Sequence, residues 1–201
     1  EKAKENATKN VEKLKKSHAK ILVTGCAGCY YAFKNMYPEF LDLEVPMEVL
    51  HTSQFIEELI NKEGLEFKEF DRRVTWHDPC DLGRHSNVYE PPRNLLKNIP
   101  NLKFTEMSLN RENARCCGGG GSFLSFNDEI AMKIAEQRVL EDAIPLNVDT
   151  IVTSCPTCQI NLSWAVRRLK RKFRFMGKKN IGSVEVLDLT ELLERSLSLG
   201  N

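Results

Sequence analysis

The sequence predicts an α/β fold made of two related βα modules with mostly parallel strands and a pseudo-twofold repeat, the first module being incomplete. Three observations predict it. Short apolar runs alternate with helical segments, a second βα segment later in the chain has a similar sequence to the first, and both segments carry a C-x-x-C pair at the end of the strand. Strand–helix alternation at this spacing is typical of parallel sheets with crossover helices.

Six apolar runs are predicted as strands, at 19–25, 47–52, 72–78, 102–108, 150–154 and 183–189. Helical segments follow them at 29–37, 53–61, 91–99, 127–143, 159–173 and 190–197. Ser53 and Asn127 are the first residues of two of these segments. Their side chains can accept a hydrogen bond from the first turn, and we expect them to be the N-caps.

The repeat divides the chain. The sequence of residues 20–33 is similar to that of residues 150–162, and the sequence of residues 47–60 is similar to that of residues 184–197. We therefore expect residues 1–70 to be the C-terminal part of a first module and residues 71–201 to be a complete second module. In the second module, the doublet's Cys117 precedes Cys155. The same spacing counted back from Cys26 places the doublet of the first module before Glu1. The chain is thus expected to be the C-terminal part of a longer protein.

Composition limits the function classes. The chain has 201 residues, of which 41% are hydrophobic and 28% charged, and a formal net charge of +1, an ordinary balance for a globular protein. No apolar stretch approaches the roughly 20 residues that span a bilayer, and the near-neutral charge argues against nucleic-acid binding. The first twenty residues are polar and helical, so we expect no signal peptide and a cytoplasmic location.

Seven cysteines carry the chemical signal. An odd number excludes a complete set of internal disulfides, and grouped cysteines without a secretory signal favour metal or redox chemistry. Two C-x-x-C pairs, in "GCAGC" and "SCPTC", accompany an adjacent doublet followed by four glycines, "CCGGGG", and a single cysteine in "WHDPCDLGR". They are Cys26, Cys29, Cys80, Cys116, Cys117, Cys155 and Cys158.

These motifs resemble a known family. The succession "HDPC", "CCGGGG" and "SCPTC", together with "VYEPPR" and "NRENA", resembles the cysteine-rich or CCG domain of the heterodisulfide reductase catalytic subunit over residues 7–197. Similar domains occur in iron–sulfur subunits of sulfate-reducer membrane complexes and of glycolate, lactate and glycerol-3-phosphate oxidation. Members usually carry two such modules.

The resemblance implies an iron–sulfur cluster held by thiolates. The matching ligands are Cys80, Cys116, Cys117, Cys155 and Cys158, one more than a cubane cluster needs, which goes with a noncubane 4Fe–4S cluster in that family. Cofactor contacts are expected from Gly118, Gly119, Gly120 and Gly121, because a backbone without Cβ atoms can approach a bulky core and aim its N–H groups at sulfur. A flexible loop or a phosphate cradle is the alternative for the glycines, although the Lys-Ser/Thr of a P-loop is missing.

The function implied is reduction of a disulfide at the cluster. Electrons would come from other iron–sulfur or flavin subunits, with a membrane cytochrome or quinone subunit and a peripheral position at the cytoplasmic membrane face as further expectations. Two alternatives stay open. One is an electron relay in a complex oxidising glycolate, lactate or glycerol phosphate; the other is an interaction module stabilised by zinc, which four of the cysteines could bind.

Several other residues have two interpretations each. Cys26 and Cys29 are either part of a second cluster completed by residues absent from this chain or plain thiols at a turn. His77 either donates a proton or hydrogen bond near the cluster or is structural, and His51 is expected to be structural because it occupies the repeat position of Asp188. Arg84 and Arg115 either offset cluster charge, hold an acidic substrate or lie on the surface.

The basic run at 167–179 is the last candidate feature, and it contains two phenylalanines. It is interpreted either as a solvated helix end or as a docking surface for an acidic partner or a membrane-surface subunit.

Overall fold

The computed structural model describes residues 1–64, 66–176 and 184–197. Its strands lie within the six predicted runs: β1 Ile21–Thr24, β2 Glu48–His51, β3 Arg73–Trp76, β4 Lys103–Phe104, β5 Thr150–Thr153 and β6 Glu185–Asp188. Its α-helices are α1 Lys2–Ser17, α2 Ala27–Tyr31, α3 Tyr37–Leu41, α4 Thr52–Glu63, α5 Glu90–Lys97, α6 Phe123–Phe126, α7 Asp128–Arg138, α8 Pro156–Phe175 and α9 Leu189–Ser196.

All paired strands in these sheets are parallel. β4, β3, β5 and β6 form one sheet in that order, and β1 and β2 form a separate two-stranded sheet. The α/β class with parallel strands is therefore confirmed. β4 is much shorter than its predicted run, since only Lys103 and Phe104 pair with β3 and the chain then leaves the sheet.

The two βαβ segments that the sequence pairs as a repeat have the same strand register. Thr24 lies opposite His51 in one pair, and Thr153 lies opposite Asp188 in the other. His51 and Asp188 are also the N-caps of α4 and α9, each in a reciprocal capping box with the residue three positions on. The pseudo-twofold relation and the boundary at residue 70 remain predictions.

Two local predictions were wrong. Ser53 is not the cap of α4, because a ring nitrogen of His51 accepts the hydrogen bond from the Ser53 N–H and moves the cap two residues upstream. The predicted continuous helices at 29–37 and 127–143 each contain a π-helical turn, at Ala32–Met36 and Val139–Ala143. Prolines follow both turns, and a proline cannot donate the regular helical hydrogen bond.

The core lies on both faces of the four-stranded sheet, and β5 shows this directly. Ile151 belongs to an apolar cluster with α7 and α8, whereas the adjacent Val152 belongs to a cluster with α5 and α9. Successive side chains of a strand point to opposite faces, so a strand covered on both sides is apolar throughout. All four residues of β5 are buried.

No described helix is long and apolar enough to cross a membrane. Within the basic run at 167–179, residues 177–179 lie outside the described residues, as does Ser183 at the start of the last predicted strand. The rest of the basic run lies in α8 and at its C-cap, Met176. Within α8, Arg168 forms an ion pair with Glu136 of α7 at 2.9 Å.

Candidate metal centre

Two neighbouring parallel strands bring separate cysteines to one edge of the sheet. β3 ends at Trp76 and is followed by Cys80, while β5 ends at Thr153 and is followed by Cys155. The two strands pair in register, and the His77 N–H continues the ladder by donating to the Val152 carbonyl at 2.8 Å. Carboxyl ends of parallel strands are where open α/β sheets usually bind ligands.

The sulfur atoms of the seven cysteines form one continuous series of side-chain contacts. Its order is Cys29, Cys26, Cys155, Cys158, Cys117, Cys116 and Cys80. None of the seven forms a disulfide. The structure thus brings together the five cysteines singled out as a ligand set, and it also places Cys26 and Cys29 at the end of the same series.

The cysteines lie at different depths. Cys117, Cys155 and Cys158 are buried, whereas Cys116 and Cys29 are exposed. A group bound by the five-cysteine set would therefore have buried ligands on its inner side and would be accessible to solvent on the Cys116 side.

The adjacent doublet spans that change in depth, and its loop supplies hydrogen bonds to sulfur. The Gly118 N–H donates to Cys116 Sγ at 3.3 Å, and the Gly119 N–H donates to Cys117 Sγ at 3.5 Å. Backbone N–H groups that point at thiolates form an anion-binding concavity. The glycine run thus contributes donors to both sulfurs of the doublet.

The four glycines divide into two pairs by their surroundings. A Cβ on Gly118 would lie 2.8 Å from the Ala131 carbonyl oxygen, and one on Gly119 would lie 2.9 Å from Thr157 Cγ2. Nothing lies within 4 Å of a Cβ built on Gly120 or Gly121. The first two glycines therefore allow the doublet loop to pack against α7 and α8, and the other two border open space.

Asn161 of α8 holds the doublet in place, although it was not among the predicted site residues. Its buried amide donates to the Cys117 carbonyl at 2.6 Å and to the Ala131 carbonyl at 3.1 Å. One side chain thereby ties the cysteine loop to two helices. A polar residue at a buried helix position is the signal that would have found it, because such groups need partners.

Hydrogen bonds stabilise two sulfurs of the series, those of Cys116 and Cys155, as thiolates. Hydrogen bonds from the Cys117 and Cys80 thiols, joined by the Gly118 N–H, lower the pKa of Cys116 to about 2. Hydrogen bonds from the Cys158 and Cys26 thiols, joined by backbone N–H groups at the start of α8, lower the pKa of Cys155 to about 2. Thiolates are the metal-binding form of cysteine.

An open cavity of about 360 Å³ adjoins Cys80 and Cys116. Its lining includes the glycine loop and Ile134 as well as Asp81 and His85. Burial, together with the charge of Cys155, raises the pKa of Asp81. Acidic and imidazole groups therefore stand beside the cysteines at the mouth of the site.

The remaining sequence candidates have structural contacts. His51 is buried, and its ring nitrogens contact the hydroxyls of Ser53 and Ser154. Arg84 donates to the Ala114 carbonyl at 2.7 Å, which fixes the segment leading to the doublet, and Arg115 pairs with Glu141. Arg84 and Arg115 are therefore more than solvated surface residues, because both side chains anchor the segment around the doublet.

The residues present suit a soft metal or a metal–sulfur cluster. The donors are sulfur atoms, two are stabilised as thiolates, and backbone N–H groups point at two of them. Soft thiolate donors select zinc, copper(I) and iron–sulfur clusters among common metals. The class of protein defined by the fold and this site is an α/β protein with a cysteine-based metal centre.

The chain belongs to the family described as the cysteine-rich domain, abbreviated CCG. The family model matches residues 1–34 and 74–163, which include all seven cysteines.

Curated relatives agree with the family. One of the subunits of dihydromethanophenazine:CoB–CoM heterodisulfide reductase from Methanosarcina acetivorans is 40% identical over 98% of this chain and 46% of its own length. One of the subunits of fumarate reductase (CoM/CoB) from Methanothermobacter marburgensis is 34% identical over 88% of this chain and 32% of its own length. The probable iron–sulfur-binding oxidoreductase FadF from Bacillus subtilis is 33% identical over 96% of this chain and 26% of its own length.

The chain spans less than half the length of these relatives. Among solved structures, an aspartate racemase from Picrophilus torridus aligns with 94% of this chain and 65% of its own chain at 15% identity and a TM-score of 0.43. That level of similarity supports no conclusion on fold or function.

Proposed function

We propose that this chain is the iron–sulfur part of an oxidoreductase that reduces a disulfide. The observation that carries the proposal is the convergence of five cysteine side chains beside an open cavity at the carboxyl edge of the sheet. The relatives named as a heterodisulfide reductase subunit and an iron–sulfur-binding oxidoreductase support it.

The proposed ligands of a noncubane 4Fe–4S cluster are Cys80, Cys116, Cys117, Cys155 and Cys158. Adjacent cysteines cannot easily chelate one iron, but they can serve neighbouring irons of one cluster. Five sulfur donors also exceed what a structural zinc ion takes, so the count favours a cluster over the zinc module. We propose that Gly118 to Gly121 face the same group.

When bound, the cluster would supply a thiophilic iron and single electrons for the cleavage. The chain's own residues would bind the cluster and determine how it is oriented. Buried Cys117 and Cys158 anchor the site from inside, exposed Cys116 marks its accessible side, and the N–H groups of Gly118 and Gly119 compensate negative charge on sulfur.

The overall reaction breaks one S–S bond and forms two thiols. It consumes two electrons and two protons, one proton for each sulfur released. The electrons would arrive singly from reduced iron–sulfur or flavin subunits, or from a membrane cytochrome or quinone subunit, and the protons from solvent through the open cavity. The substrate is a disulfide of small thiols or of a small protein.

Cys26 and Cys29 are proposed as half of a second cluster site whose other ligands are supplied by residues outside this chain. The contact between Cys26 and Cys155 supports this proposal over plain thiols, because it continues the line of sulfur atoms. For the whole protein we propose a cytoplasmic position, peripheral to the membrane through partner subunits.

Anaerobic reconstitution followed by iron and acid-labile sulfide analysis tests the cluster. We expect about four irons and four sulfides for the five-cysteine set, and stoichiometric zinc without sulfide would contradict the proposal. The activity is tested with a reduced viologen dye as electron donor and a panel of low-molecular-weight disulfides. Cluster reduction by the dye without thiol release would instead favour an electron relay.

A further inference from the structure

His77 is buried at the base of the cysteine set and held firmly by the sheet. Its N–H donates to the Val152 carbonyl at 2.8 Å, and its own carbonyl accepts a hydrogen bond from the Thr153 hydroxyl at 3.2 Å. A ring nitrogen of His77 lies within 4.8 Å of the sulfur atoms of both Cys117 and Cys158. The ring is therefore a fixed neighbour of two proposed cluster ligands.

Arg138, at the end of α7, occupies one side of this ring. Its Nε–H donates to His77 Nδ1 at 3.3 Å. The same guanidinium is locked by the Asp142 carboxylate at 2.8 Å and the Leu109 carbonyl at 3.0 Å, and the side chain is 1% exposed. The pairing is a tertiary one, because 61 positions separate Arg138 from His77.

This contact determines which ring nitrogen carries the proton. A guanidinium has only donors, so Nδ1 must accept and cannot bear a hydrogen. An imidazole whose Nδ1 accepts a hydrogen bond is neutral and carries its single proton on Nε2, so the Arg138 contact places the proton of His77 there. His77 Nε2 is a buried atom with no hydrogen-bond partner among the described residues. A buried donor of that kind needs an acceptor.

We propose that His77 donates its Nε2–H to the sulfur of Cys117 or Cys158 and is not itself a metal ligand, and that Arg138 is the positioning residue that fixes this tautomer. The proposal rests on the proposed function in that these sulfurs are taken to hold the cluster. Coordination through Nε2 would need the proton on Nδ1, where it would face the Nε–H of Arg138. A hydrogen bond to a ligating sulfur stabilises the more negative, reduced cluster and raises its potential.

The tautomer is measured without any cluster, by long-range proton–nitrogen correlation NMR on the chain labelled with nitrogen-15 histidine. We expect the Nε2–H form for His77 at pH 7, and loss of that preference in Arg138→Gln, whose amide can either donate to Nδ1 or accept from it. His51 is the internal control, since its Nδ1 accepts from the Ser53 N–H and does not contact Arg138. An Nδ1–H form of His77 in the wild-type chain overturns the proposal.

The reconstituted cluster gives the second readout. His77→Leu should keep about four irons and shift the midpoint potential to a more negative value, and His77→Gln, which retains an N–H donor, should recover part of the shift. Loss of one iron or an altered Mössbauer subsite in His77→Leu would show that His77 is a ligand. An unchanged midpoint potential would show that the hydrogen bond to sulfur is absent. Either result overturns the proposal. If the wild-type chain binds zinc without sulfide, the proposed function fails, whereas the NMR result still decides the tautomer.

Discussion

Cys26 contacts Cys155 through their sulfur atoms, although 129 positions separate the two residues in the sequence. Each is the N-cap of the helix that follows it, α2 for Cys26 and α8 for Cys155, and each has extended backbone. The two C-x-x-C turns therefore face each other across one site. An open sheet edge with two such turns can place two cysteine sets side by side.

The depth and contacts of the cysteines predict unequal effects of serine substitutions. Cys117→Ser should abolish or strongly reduce iron incorporation, because Cys117 is buried at the centre of the five-cysteine set. Cys29→Ser should retain most of the iron bound by the five-cysteine set, since Cys29 is exposed at one end. Iron and sulfide content after anaerobic reconstitution, with the EPR spectrum, measures both. Equal losses would mean that Cys29 belongs to the same set.

The glycine run predicts a positional contrast between two alanine substitutions. Gly119→Ala should displace the doublet loop and lower the melting temperature of the cluster-free chain, because the new Cβ would lie 2.9 Å from Thr157 Cγ2 and 3.3 Å from Asn161 Cβ. Overpacking of this kind costs about 1–3 kcal/mol. Gly120→Ala is the matched control and should leave the melting temperature unchanged.

Circular dichroism should show similar helical content in both glycine variants. Iron incorporation should fall in Gly119→Ala because the Cys117 sulfur moves with the loop. Identical melting temperatures and iron contents would show that the close packing of the loop against α8 is not required.

A buried ion cluster predicts which arginine substitution destabilises the fold. Arg93 is fully buried and bonds both oxygens of Asp78 at 2.8 Å, as well as Glu106 at 2.6 Å. Arg93→Met should lower the free energy of unfolding by about 3–5 kcal/mol, because it leaves the buried Asp78 carboxylate without its compensating cation. Urea denaturation measures the loss.

Arg73→Met is the control for this comparison. Arg73 pairs with Asp149 at 2.7 Å, but its side chain is 44% exposed, so solvent screens the pair. The loss should be much smaller than for Arg93→Met. Comparable losses would contradict the assignment of the Arg93 cluster as the stabilising one.

His51 predicts a pH dependence of stability. Burial lowers its pKa to about 4, whereas an unfolded histidine titrates near 6.5. Between these values the unfolded chain binds the extra proton, so the stabilisation present above pH 6.5 is lost as the pH falls toward 4. The contribution to the slope is up to about 1.4 kcal/mol per pH unit.

His51→Asn keeps an N-cap side chain but does not titrate. The free energy of unfolding of this variant, measured from pH 7 to pH 5, should fall less steeply than that of the wild-type chain. The wild-type slope should not vanish entirely in the variant, because burial lowers the pKa of His77 in the same direction. Parallel curves would show that the pKa of His51 is the same in the folded and unfolded states, and would contradict this prediction.

Much of the fold can be predicted from local sequence patterns. β5 is an apolar run between polar segments, so its burial on two faces follows from its composition, and Asn127 is placed where a cap is needed and does cap α7. The two π-helical turns were not predicted, because the helical periodicity of residues 29–37 and 127–143 does not show how the following proline is accommodated. The capping of α4 by His51 was missed for a related reason, since histidine is not among the usual cap residues.

The sequence by itself determined the parallel α/β class and the cysteines worth attention, because apolar periodicity and cysteine spacing are local patterns that can be read from the chain. Only the tertiary structure decided that Cys26 meets Cys155, that Arg138 fixes the ring of His77 and that Asn161 holds the Cys117 carbonyl. Each of these contacts joins side chains from separate elements. Their distances depend on how helices pack on the sheet, which no single segment encodes.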